Sequence, residues 1–164
     1  MNENKYKKLE VLKVKDTNEK YYTPLPIVSD IPHRILVVGK SQLSGKTNFL
    51  VNYLCNPTFG IKGHFKGENI YLVSASVGND FKLTSMIECL EIDHQNIFKE
   101  YDEEVIEALY EMIEDEFEEK VNNKQRPENF LIIFDDMSSS GIFKGGNFSI
   151  INKMFSNGRH INLS

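Results

Sequence analysis

The sequence of 164 residues predicts an α/β fold, a mainly parallel central sheet flanked by helices. Three observations carry that prediction. Short apolar runs without polar alternation occur at residues 35–38, 70–73 and 130–134, the pattern of strands buried on both faces. Segments with apolar residues at helical spacing separate these runs. The resulting alternation of strand and helix is that of parallel crossover units.

Taken in order, residues 1–20 are lysine-rich with a weak strand signal at Leu9, Val11, Leu12 and Val14. Pro24, Pro26 and Pro32 exclude a long helix before the first run. Residues 1–31 are therefore expected to form an extended lead-in, and residues 32–164 the folded domain. The first strand is placed at 35–38. A helix opens at Gly45, carries Phe49, Leu50, Tyr53 and Leu54 on one face, and ends at Asn56-Pro57. A second strand is placed at 70–73, and a helix at 81–90 with Asp80 as N-cap. A long helix is placed at about 102–122, with the stripe Ile106, Leu109, Ile113, Phe117 and Val121. A third strand at 130–134 ends in Asp135-Asp136. Residues 138–146 read as a Gly/Ser-rich loop, and 148–155 as a short helix stopped by Asn157-Gly158.

The segment from Arg34 to Leu54 holds the main chemical signal. A strand enters a loop that ends Ser44-Gly45-Lys46-Thr47, and a helix follows. This is how a chain holds the phosphates of a nucleotide: backbone N–H groups and the helix dipole face the negative charge. Gly39, Ser44, Gly45, Lys46 and Thr47 are the candidate phosphate-binding residues. Lys46 is assigned to the β- and γ-phosphates and the Thr47 hydroxyl to Mg²⁺. The spacing departs from the usual motif, because five residues separate Gly39 from Gly45 where four are standard.

The strand at 130–134 supplies the other half of such a site. It delivers an acidic pair to its C-terminal end, the edge where ligands sit in an open parallel sheet. Asp135 is assigned to the Mg²⁺ shell, and Asp136 to positioning or deprotonating the attacking water. The extra strand between the phosphate loop and the acidic pair, and an Asn123-Lys124 segment without the aspartate needed to read guanine, favour ATP over GTP. A P-loop NTPase is the expected fold.

Composition bounds the rest. Hydrophobic content is 40% and charged content 26%, the balance of an ordinary globular core. No apolar run approaches the roughly 20 residues of a membrane span. The N-terminus lacks the apolar core of a secretory signal, so a cytosolic setting is expected. The net charge of −5 argues against coating nucleic acid by bulk attraction but leaves contact through a few loops open. Eleven of the acidic residues fall between Glu100 and Glu119, read as a solvated helix face. Cys55 and Cys89 lie far apart, in no metal-type spacing, and read as reduced thiols on apolar helix faces. The four histidines are scattered and no metal site is proposed for them.

The order of these segments, closing with Met154 to Ser164 and its Asn157-Gly158-Arg159-His160 piece, resembles the viral genome-packaging ATPases of the FtsK–HerA superfamily, as found in poxviruses, other large DNA viruses and virophages. The resemblance covers about residues 32–164. It implies ATP-driven translocation of double-stranded DNA, gripped transiently through loops, into a capsid vertex by a homo-oligomeric ring, in the cytoplasm or assembly site of an infected cell. It implies catalytic roles for Lys46, Asp136 and Arg159, with Arg159 stabilising the transition state or reading the nucleotide at a subunit boundary. It also implies a fourth core strand beginning near Ile161 and further strands beyond, so the sheet is expected to be incomplete at the C-terminal side. Two alternatives stand beside the motor: a nucleotide-binding switch or assembly module with little turnover, and a P-loop small-molecule kinase. The kinase is disfavoured because only Arg34, Arg126 and Arg159 are available for a basic lid.

Overall fold

The computed structural model describes residues 30–39, 44–59, 61–137 and 149–164. Three strands form one sheet: β1 (Ile70–Ser74), β2 (Ile97–Phe98) and β3 (Leu131–Asp135), in the order β2-β1-β3 and all parallel. Four helices accompany them: α1 (Lys46–Cys55), α2 (Phe81–Leu90), α3 (Glu103–Asn122) and α4 (Ile150–Asn157). A 3-10 turn at Gly158–Ile161 follows α4.

Side chains of a strand alternate between its two faces, and both faces of this sheet are covered. Ile70, Leu72, Leu131 and Ile133 point into a layer made by α1 and α2, with Tyr53, Leu54, Leu83 and Met86. Tyr71 and Val73 point the other way, into a layer made by α3 and α4, with Ile106, Tyr110, Ile113, Ile151 and Met154. That is why β1 reads as an unbroken apolar run: all five of its residues are buried. The helix stripe behaves as its spacing predicts, with Ile106, Leu109, Ile113 and Phe117 buried and Val121 packed at the margin.

The helix ends follow local chemistry. Asp80 accepts from the Lys82 N–H at 2.8 Å, and Asp102 from the Glu104 N–H at 3.0 Å, so each caps its helix. Ser149 does the same for α4 through the Ile151 N–H. The short strand β2 was not expected from the sequence. Two residues carry too little pattern to be seen, and β2 exists because Leu72 and Val73 offer it a parallel edge.

The predicted first strand is not formed. Residues 35–38 adopt no strand, and Ile35, Leu36, Val37 and Val38 are exposed, Val38 by 84%. A strand needs a ladder partner. The edge of β3 is already taken by the C-terminal segment: Phe130 N–H donates to Asn162 O, Ser164 N–H to Phe130 O and Ile132 N–H to Ser164 O. Phe130 and Leu163 form a parallel bridge there, beside β3 where a strand beginning near Ile161 was expected. His33 reaches this segment through its N–H to Ser164 Oγ at 3.2 Å. The lead-in 1–29, the loop residues 40–43 and the loop 138–148 lie outside the described residues, and with them the extra residue of the phosphate loop. Among the described residues no helix is long and apolar enough to cross a membrane.

The N-terminal edge of the sheet is tied by a polar cluster. Glu128, just before β3, accepts from Lys66 Nζ at 2.7 Å and from Asn69 Nδ2 at 2.6 Å. The Lys66 ammonium holds the Glu128 carboxyl below its ordinary value of 4.5. A carboxyl lowered by folding adds stability that is present above its ordinary value and lost as pH falls through the lowered one. Chemical unfolding measured across acid pH is therefore expected to show a loss of wild-type stability below about pH 4.5 that Glu128→Gln diminishes. Gly67 allows the chain to pass Glu91: an added Cβ would lie 1.8 Å from the Glu91 carbonyl oxygen. Gly67→Ala is expected to destabilise the fold by about 3 kcal/mol, read as a lower urea midpoint with an unchanged slope.

Candidate functional site

Parallel pairing of β1 with β3 places Ser74 opposite Asp135. Both strands therefore end at the same sheet edge, and the residues that follow them meet there. Ser76, after β1, donates its hydroxyl to Asp136 Oδ2 at 2.9 Å. Asp136 adopts a positive φ of 55°, which turns the chain sharply as it leaves β3. This is an uncommon conformation for a residue with a side chain. Asp135 is buried and Asp136 exposed.

The phosphate-loop end arrives from the other side. Gly45 has φ of 76° and serves as the N-cap of α1 without a side-chain cap. The positive φ suits glycine. It also leaves the first N–H groups of α1 without a capping side chain, the condition for anion binding at a helix start. Lys46, the first residue of α1, folds back over the loop. Its Nζ donates to Gly39 O at 3.3 Å and to Ser44 Oγ at 3.2 Å. Thr47 follows it on the same turn, half-buried. Tyr53, two turns along α1 from Lys46, hydrogen-bonds through its hydroxyl to His33 Nε2 at 2.9 Å, which fastens the segment entering the loop onto the helix.

The acidic strand end is shaped by several neighbours. Burial raises the Asp135 carboxyl above its ordinary value, and the charges of Asp136 and Asp80 raise it further. A backbone hydrogen bond from Asp136 and the nearby Lys46 ammonium act in the opposite sense. Asp135 thus lies within electrostatic range of Lys46, Asp80 and Asp136. Among the described residues no group of three or more His, Cys, Asp or Glu side chains is arranged to hold a metal ion alone. The donor set present, one hydroxyl and one carboxylate, suits a magnesium ion that shares its remaining positions with phosphate oxygens and water.

Arg159 is not brought to this edge. It sits in the 3-10 turn that precedes Asn162, and Asn162 pairs at Phe130, the beginning of β3. Asp135 is at the other end of the strand. Arg159 instead donates from Nε to His160 Nε2 at 3.3 Å. Ser76 and Asp80 were missed as site residues. Asp80 was read only as a helix cap, and Ser76 lies in a loop with no motif. Their place becomes visible once β1 is known to lie beside β3.

The family model described as Poxvirus A32 protein matches residues 27–164. No curated protein and no solved structure matches the chain.

Because folding raises the Asp135 carboxyl, its ionised form opposes the folded state. Stability is expected to fall as pH rises from the ordinary value of 3.8 through the raised one. Asp135→Asn removes that penalty. Urea unfolding without nucleotide or magnesium is expected to show the variant about 1 kcal/mol more stable at neutral pH, with the difference closing in acid.

Proposed function

The chain belongs to the poxvirus A32 family, a family of viral DNA-packaging ATPases, and from that premise we propose that it is an ATP-hydrolysing motor subunit of the FtsK–HerA type that drives double-stranded DNA into a capsid. One observation carries the reading: the Lys46 ammonium lies near enough to the Asp135 carboxyl, at the edge where β1 and β3 end, to favour its ionised form. These are the two charges that a triphosphate and its magnesium require.

The roles follow from position. The N-terminal turn of α1 and Lys46 bind the phosphates, with Gly39, Ser44 and Gly45 shaping the loop. Thr47 and Asp135 would hold the magnesium ion. When bound, that ion neutralises charge on the β- and γ-oxygens. Asp136 orients the attacking water and accepts its proton. The Ser76 hydroxyl fixes one oxygen of Asp136 and so sets the direction of the other. Asp80 adds negative potential beside the pair, which favours a divalent cation over a monovalent one. Water, not a second organic substrate, is the acceptor in this reading, which sets the kinase aside.

Arg159, at the far end of β3 from the acids, serves a neighbouring subunit of a homo-oligomeric ring in this proposal, not its own site. Transient DNA contact and docking at a capsid vertex belong to the same reading, as does action in the cytoplasm of an infected cell. An ATP-binding switch with little turnover is the second reading. It draws support from the absence of Arg159 from the acidic edge.

Steady-state ATP hydrolysis, measured with and without double-stranded DNA, separates the two. The motor reading expects DNA-stimulated turnover that Lys46→Ala and Asp136→Asn each lower by at least about a hundredfold. Magnesium-dependent ATP binding with no turnover in either condition would establish the switch instead.

A further inference from the structure

Cys55 and Cys89 are 34 positions apart in the sequence, yet the fold brings them together. Cys55 is the last residue of α1, and Cys89 is the penultimate residue of α2. The two helices pack side by side in one hydrophobic layer, through Tyr53, Leu54, Leu83, Met86 and Leu90. They run in the same direction, each starting near the candidate site, so their C-terminal ends coincide at the opposite end. There Cys89 lies near enough to act on the Cys55 thiol. Both cysteines are free and half-buried, within reach of a small reagent.

We propose that Cys55 and Cys89 form a reversible disulfide that staples α1 to α2. The oxidant is a low-molecular-weight disulfide. The Cys89 thiolate attacks one sulfur of the reagent; the S–S bond of the reagent breaks and releases one small thiol. The Cys55 thiolate then attacks the Cys89 sulfur in the mixed disulfide and releases the second small thiol. Two protons and two electrons leave the protein, one S–S bond forms in it, and one S–S bond is reduced to two thiols in the reagent. The order of attack follows from the surroundings. Burial, with the neighbouring Cys89, pushes the Cys55 thiol up to about 12, so Cys55 is the poorer initiator. Its proximity to Cys89 makes it an efficient resolving thiol.

The test uses the full chain, folded, without nucleotide, and is therefore independent of the ATPase reading. Oxidised glutathione is added, and intact mass, free thiols and non-reducing peptide maps are followed. The expected result is a mass loss of two hydrogens, both thiols consumed, and one peptide linking Cys55 to Cys89. Cys55→Ser is expected to stop at a single stable glutathione adduct on Cys89. The cross-linked chain is expected to melt about 5–10 °C higher than the reduced chain, and dithiothreitol is expected to reverse the shift. Adducts on both cysteines of the wild-type chain, disulfide-linked dimers, thiols that react only after denaturation, or a lower melting temperature on cross-linking would each overturn the proposal.

Discussion

The parallel ladder between β1 and β3 is the constraint from which the rest of the molecule follows. Its register sets Ser74 against Asp135, and that single alignment decides which loops share a sheet edge. The loop after β1 brings Ser76 and Asp80; the turn after β3 brings Asp136. A one-residue slip would turn every side chain of β3 to the other face. It would send Leu131 and Ile133 out of the layer they share with α1 and α2. The site is thus held in register by the packing of apolar side chains on both sides of the sheet, not by its own polar contacts.

That arrangement explains why a costly cluster of charge persists. Asp135 is buried beside Asp136 and near Asp80, and all three effects oppose its ionisation. Nothing in the core demands such a group. Strain of this kind gathers where chemistry is done. The positive φ of Asp136 belongs to the same pattern, for it costs energy locally and serves to turn the acid away from the strand. Lys46, at the start of α1, acts on Asp135 in the opposite sense.

The opposite edge has a different character. Glu128, Lys66 and Asn69 tie the turn before β3 to the chain before β1, and Gly67 lets that chain slip past Glu91. Cys55 and Cys89 lie at the same end of the α1–α2 pair. This end holds the scaffold together, while the far end holds the charges. The division matches the general behaviour of open parallel sheets, in which ligands collect at the C-terminal ends of strands.

Much was determined by the sequence alone. The α/β class, the helices α1, α2 and α3, the Asp80 cap of α2, and the strands β1 and β3 were all readable, because apolar periodicity and capping chemistry act over a few neighbouring residues. Tertiary structure decided the remainder. Residues 35–38 have the composition of a strand but find no ladder partner, because Asn162 to Ser164 take the edge of β3. Strand β2 is too short to announce itself and exists only through its neighbour. Ser76, Asp80 and the nearness of Cys89 to Cys55 emerge only when distant segments are laid side by side, and Arg159 is separated from the acids by the length of β3. A local pattern records what a residue prefers; the partner that satisfies the preference comes from elsewhere in the chain.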